Sequence, residues 1–345
     1  MTRDVFEMHK LVQLSVRIWL EREGQQETFK HDCVKRLATA FPKEDYSNWS
    51  TCQRLFPHVV LAVDYKPTDS ALEETWAFLL RKGGRYAHSQ GRHGLAEQMR
   101  VQESNIYMTK LGADHPHTLT SMNNLASTFF NQGRLEEAEK LFAQVVETDK
   151  KKLGVDHPDT LKSMNNLAST FWRQGRWEEA EKLEARVMET RKKKLGADHP
   201  DTLASMNNLA STFWTQGRLG EAEKLELQVI EAIKNKLGVD HPDTLTSMNN
   251  LASTFWDQGR LEEAEKLDVQ VMETRKNKLG VDHPDTLTSM NNLAFTWMGQ
   301  GRYDDALTLM KRCVQARQRI IGPQHPDTLS SLAAIEQWSS IRHVG

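Results

Sequence analysis

The chain is poor in cysteine, in net charge and in long apolar runs, and each deficiency removes a class of function. Three cysteines, Cys33, Cys52 and Cys313, are an odd number without a CxxC pair. That excludes a disulfide framework and a thiolate zinc site, and it fits a reducing compartment. A formal net charge of −2 supplies no general attraction for nucleic acid or an anionic membrane. No stretch reaches the roughly 18 uncharged apolar residues that a spanning helix needs. The opening MTRDVFEMHKLVQLSVRIWL is interrupted by Asp4, Glu7 and Arg17, the wrong pattern for a signal or transit peptide. A soluble, cytoplasmic protein is expected. GxxxxGK[ST] is also missing, so no phosphate-cradling loop, nucleotide or other cofactor is expected.

What the sequence has is self-similarity, the feature to seek before any local reading. Leu-Gly recurs at Leu111, Leu153, Leu195, Leu237 and Leu279, with Ile-Gly at Ile321, a constant period of 42 residues. Gln-Gly-Arg keeps the same period from Gln132 to Gln300, and a worn copy stands at Gln90-Gly91-Arg92. Each unit reads as two helices. Pro behind His, with Asp and Thr following, opens helix A, because the missing N–H of proline is an orphan at the first helical position. The glycine of Gln-Gly-Arg can take the left-handed turn that ends helix A. LEEAEKL then opens helix B with acids and RKKK closes it with bases, as the helix dipole favours.

This pattern resembles the tetratricopeptide repeat in its long, 42-residue form, that of kinesin light chains and fungal receptor-like proteins. The small helix A residue of that family falls at Ala126, Ala168, Ala210, Ala252 and Ala294. Its aromatic falls at Phe129, Phe171, Phe213, Phe255 and Trp297, and its helix B alanine at Ala138, Ala180, Ala222, Ala264 and Ala306. The resemblance implies an all-α, right-handed superhelical solenoid of helix-turn-helix repeats preceded by a small helical region. Residues 1–68 form the helical region, 69–110 a degenerate repeat, 111–320 five full repeats and 321–345 a capping half-repeat. Ala333-Ala334 and Glu336 replace the repeat residues in that cap, as a polar outer face requires. In the first region, helices are predicted from about Val5 to Arg22, Gln26 to Phe41 and Trp49 to Val63. FEMHKLVQLSVRIWL with RLATAFPKEDYSNWSTCQRLFPHV is similar to the linker before the repeat arm of fungal NOD-like receptors, although the nucleotide-binding loop of those proteins is missing. Either the arm has lost its ATPase or a longer reading frame precedes it.

Five adjacent asparagine pairs stand inside the A helices, from Asn123-Asn124 to Asn291-Asn292. Asparagine costs roughly 0.6 kcal/mol relative to alanine in a helix interior. Ten of them therefore cost roughly 6 kcal/mol, the size of a domain's whole stability, unless something compensates. On a helical wheel Leu119, Met122, Leu125, Ala126, Phe129 and Phe130 span an arc of about 140°. Asn123 falls at its edge, where its amide is expected to bond the neighbouring helix. Asn124 falls well outside it, beside Thr120, Ser127 and Asn131. The resemblance places that face on the concave groove and implies that Asn124, Asn166, Asn208, Asn250 and Asn292 bind the backbone of an extended peptide. A carboxamide both donates and accepts, so it can pair with any peptide bond. Lys162, Arg173 and Asp257 are the positions on the same face that would select side chains, since these slots differ between repeats. A merely solvated face is the competing reading.

Further rows need weighing. Phe130, Trp172, Trp214 and Trp256 run along the groove edge, for packing or for binding. Glu184, Glu226 and Asp268 occupy an apolar slot on helix B, where a buried carboxylate needs a partner. Arg176, Arg218 and Arg260 are the predicted partners. The histidines of HPDT, one per repeat, are helix caps rather than a metal set. A non-catalytic scaffold with a protein or peptide partner, and without nucleic acid, membrane or nucleotide, is expected. The leading form resembles a receptor's sensor arm. The alternative is a kinesin light chain-like cargo adaptor, which would want heptads before the repeats that this chain lacks.

Overall fold

The computed structural model describes residues 10–43, 48–67 and 69–342. Among them are sixteen α-helices and no strand. The first region contributes α1 (Lys10–Arg22), α2 (Gln26–Ala40) and α3 (Trp49–Val63). The start predicted near Val5 lies outside the described residues. The worn repeat gives α4 (Ser70–Ser89) and α5 (His93–Leu111). Four helix pairs follow: α6 (Pro116–Asn131) with α7 (Leu135–Leu153), α8 (Pro158–Arg173) with α9 (Trp177–Leu195), α10 (Pro200–Thr215) with α11 (Leu219–Leu237), and α12 (Pro242–Asp257) with α13 (Leu261–Leu279). The last pair is α14 (Pro284–Gly299) with α15 (Tyr303–Ile320), and α16 (Pro326–Arg342) closes the chain. The helices fall into two compact units, residues 1–174 and 175–345.

The helix boundaries follow from local chemistry. Each HPDT histidine sits in extended backbone, and its Nδ1 accepts from the N–H two residues on, as in His241 to Asp243 at 3.2 Å. The threonine of the motif folds back: Thr244 Oγ1 donates to Gly238 O at 2.8 Å, tying the helix start to the end of the preceding helix B. In the Gln-Gly-Arg turn Gly217 has φ 75°, a left-handed conformation open to glycine at little cost.

In the first unit the core gathers Phe41, Phe56, Trp76, Leu80, Tyr86 and Met99. The Trp76 indole N–H donates to Ala62 O at 2.7 Å. A Cβ on Gly83 would lie 2.6 Å from Val59 Cγ1, so α4 can approach α3 this closely only through glycine. The second unit is built from small clusters, such as Leu245, Met248 and Val271. The chain's last helix seats Trp338 and Ala334 on Ala306 and Met310, while Glu336 faces outward.

The arginine after the turn glycine has a different role from the predicted one. Arg218 lies over the Phe213 ring at 4.2 Å. Its Nη1 donates to Glu181 at 2.7 Å and to Gln216 Oε1 at 2.9 Å, and its Nε and Nη2 donate to Glu221. The same clamp recurs with Arg134 on Glu97 and Glu137, Arg260 on Glu223 and Glu263, and Arg302 on Glu265 and Asp305. Arg176 reaches Glu179 at 2.5 Å. Burial pushes the Glu181 carboxyl up, but hydrogen bonds from Arg218 and Gln216 outweigh it and hold the group below its usual range. The expected pairing of Arg176, Arg218 and Arg260 with Glu184, Glu226 and Asp268 is therefore wrong. The guanidinium is held on the aromatic ring and aimed at carboxylates near the helix surface, away from the apolar slot.

The slot acids meet threonine instead. Glu184 accepts from Thr212 at 2.6 Å and Asp268 from Thr296 at 2.7 Å, in each case 28 residues on along the chain. In the worn repeat, Arg100 holds the equivalent place and donates to Thr128. Burial pushes Glu184 up to about 7 and Asp268 up to about 6 despite these hydrogen bonds, and it raises Glu226 as well. A second inward ladder has no counterpart in the sequence reading: Arg191, Arg275 and Arg317 each donate to a buried serine on the next A helix, Ser205, Ser289 and Ser331.

A carboxyl whose folded pKa lies above its ordinary value stabilises the fold when protonated. For Glu184 that contribution is complete below 4.5 and is lost as pH rises through about 7. Glu184→Gln keeps a partner for Thr212 without the charge. At pH 8 it is expected to be more stable than wild type by about 1–3 kcal/mol, with the gap narrowing as pH falls to 5. Thermal melts of both proteins across that range check this. A variant less stable at pH 8 would show that the carboxylate is needed in the fold.

Candidate functional site

The A helices carry the predicted groove residues, described for each unit separately. In the first unit, Asn124 on α6 and Asn166 on α8 are half-buried. In the second, Asn208 and Asn292 are half-buried and Asn250 is exposed, on α10, α14 and α12. Among the described residues the side chains of Asn124, Asn250 and Asn292 make no hydrogen bond within the chain, while Asn208 does have an interaction. The preceding asparagines behave differently. Asn123 Nδ2 donates to Ser163 Oγ at 3.3 Å, and Asn291 Oδ1 accepts from Ser331 Oγ at 2.9 Å. These amides bond the next A helix, as the wheel position implied.

Lys162 is exposed. Arg173 and Asp257 are exposed too, but each is engaged with an aromatic of the previous repeat. Arg173 lies over the Phe130 ring at 4.7 Å and donates to Phe130 O at 3.0 Å. Asp257 accepts from the Trp214 indole N–H at 2.6 Å. At the next position Gly299 leaves room for Trp256, whose Nε1 would be 3.1 Å from a Cβ there. The rim aromatics and the variable positions, which looked like separate rows in the sequence, are thus joined pairs. A constant offset of 43 residues is the signal that could have found them. The tryptophans are not core: Trp214 and Trp256 remain 42% and 41% exposed.

In the second unit these groups border a pocket of about 260 Å³. Trp214, Trp256 and Phe295 form walls, Asn292 and Asp257 stand on its border, and Asp268 lies against it with Thr296. Phe295 was not singled out by sequence. It replaces the serine that the other repeats carry at Ser127, Ser169, Ser211 and Ser253, and its ring packs edge-on to Trp338 at 5.0 Å. Neither Glu184 nor Glu226 lines this pocket. Each lies on a different helix B, with Glu184 bonded to Thr212 of the following A helix, so the three carboxyls do not assemble into one acid site. Among the described residues no three His, Cys, Asp or Glu side chains converge on a point, and no helix is long and apolar enough to cross a membrane.

Comparison with known proteins matches this arrangement. Two models described as tetratricopeptide repeat fit residues 77–151, 122–193 and 159–235, and then 244–285 and 286–327. A nucleotide-binding leucine-rich repeat (NLR)-like protein of Hyaloscypha variabilis is 42% identical over 120 residues, 34% of this chain and 12% of that protein. The chain thus matches only a small part of this relative's length. A Podosopora anserina structure of nearly identical TPR-like repeats, kinesin light chain-like by its description, is 31% identical. It covers 58% of this chain and 95% of its own, with a TM-score of 0.55. A signal transduction ATPase from Pyrococcus horikoshii with a tetratricopeptide repeat sensor shares the fold at 13% identity and TM-score 0.58, covering 78% of this chain and 40% of its own. With the 42-residue helix pairs, the turn glycines and the packing alanines in place, the chain belongs to the tetratricopeptide repeat family.

Proposed function

We propose that the chain is a non-catalytic protein-interaction scaffold that holds an extended peptide or protein segment against its A helices. Asn124 and Asn166 would serve in one unit, and Asn208, Asn250 and Asn292 in the other. The observation that carries this reading is the contrast within the Asn123-Asn124 and Asn291-Asn292 pairs: the first amide bonds the next A helix, and the second makes no such bond, with Asn292 bordering an aromatic pocket. A carboxamide facing solvent at the edge of an apolar pocket suits backbone recognition. Lys162 is the exposed selector, while Arg173 and Asp257 would act together with Phe130 and Trp214.

The NLR-like relative favours the sensor arm of a fungal receptor, with residues 1–68 as the preceding linker, 69–110 and 111–320 as repeats and 321–345 as the cap. The 31% identity to the kinesin light chain-like repeats of Podosopora anserina favours the second reading, a cargo adaptor. In either reading we propose a cytoplasmic protein with a protein partner and without a nucleotide.

The test is capture from native extract with wild type and with the combined variant Asn208→Ala, Asn250→Ala and Asn292→Ala, read by mass spectrometry. The expected result is a partner held by wild type and lost by the variant, with helix content and melting unchanged. Equal capture by both would place the site elsewhere.

A further inference from the structure

The pocket of the second unit is distinguished by the sign of its polar groups. Asp257 and Asp268 both line it, and no lysine or arginine does. Asp268 is 3% exposed. One of its oxygens accepts from Thr296 at 2.7 Å, and it forms no ion pair with any described residue. Burial without a cationic neighbour is what raises this carboxyl. The walls above it are the indoles of Trp214 and Trp256 and the ring of Phe295. Trp214 is pinned through its N–H to Asp257, and Phe295 is braced by Trp338. The volume, about 260 Å³, falls below the 300–1,000 Å³ of drug-sized ligand sites and suits one long side chain.

Aromatic faces around a carboxylate attract a cation, both through the ring quadrupoles and through charge. Asp268 is already buried without a counter-charge, and a cation brought to it supplies the compensation that an apolar occupant cannot. We propose that this pocket receives the side chain of an arginine or lysine in the bound segment, its stem between Trp214 and Trp256 and its charged head at Asp268, with Asn292 beside it for the backbone. This rests on the peptide-binding reading above and names the chemistry of the partner. It also accounts for Phe295: serine in the other repeats supplies no third wall.

The probe is a set of randomised nonapeptide pools with a fixed central Arg, Lys, citrulline, norleucine or Glu, bound to the immobilised full chain. The Arg and Lys pools are expected to be held roughly tenfold more tightly than the other three. Asp268→Asn, which can keep a hydrogen bond with Thr296, and Phe295→Ser, which restores the residue of the other repeats, are each expected to cut that preference to about threefold or less while the norleucine pool binds as before. Melting curves of both variants confirm folding. Peptides held without a basic preference, or a preference that survives both substitutions, would overturn the proposal and leave the peptide-binding reading intact. Failure of every pool to bind would contradict both.

Discussion

The structure depends on one recurring contact, the guanidinium of the Gln-Gly-Arg turn. A single helix pair cannot bury its apolar face, so a repeat protein stands on its junctions. Arg218 shows how a junction is made: it covers Phe213, holds Glu181 of the preceding helix B and fixes Glu221 at the start of its own. Separately, such half-exposed ion pairs contribute about 0–1 kcal/mol. Here one planar group meets two carboxylates, an amide and a ring at once, and the geometry repeats at Arg134, Arg260 and Arg302. The turn glycine lets the chain reverse, and the arginine ties the new helix B to the one before it.

With the junctions fixed at the surface, interior positions can vary. One slot holds Arg100, Phe142, Glu184, Glu226, Asp268 and Met310 in successive copies, and at Thr128, Thr212 and Thr296 the facing threonine accommodates either charge because a hydroxyl both donates and accepts. Buried acids of this kind cost stability at neutral pH. In the second unit that chemistry is placed behind the A-helix face, and at Asp268 it reaches a pocket. The rim varies in the same way: Arg173, Asp257 and Gly299 each meet the aromatic of the repeat before, giving a cation on a ring, an acceptor for an indole and an open space. Within the otherwise nearly identical A helices, these differences fall where two repeats touch at the open face.

Much of the fold was legible because its signals are local. Pro at the helix start, the histidine cap and the glycine turn each occupy a few residues, and the period multiplies them. The alanine pairs and the apolar stripe follow from helix geometry. The partners of buried charges were not legible, because they depend on contacts between helices. Arg218 was matched to the nearest unexplained acids, whereas Phe213 and Glu181 hold it at the surface. Arg191 and Arg275 looked like the basic end of helix B, and only the next A helix turns them inward. Of the candidate site, the asparagine face was readable from the wheel. Its pocket was not, since Phe295 gains meaning only when Trp256 and Trp338 come alongside.

The central claim is that two adjacent, identical residues do different work: the first asparagine joins repeats and the second is kept for a ligand. The most direct measurement compares the melting temperature of Asn123→Ala with Asn291→Ala against that of Asn124→Ala with Asn292→Ala, each pair in the full chain. The first pair is expected to lower it, because the bonds to Ser163 and Ser331 on the next A helix are lost. The second is expected to leave it unchanged or raise it, since alanine is the better helix former by roughly 0.6 kcal/mol per site. Equal losses from both pairs, or a larger loss from the second, would contradict the division of roles.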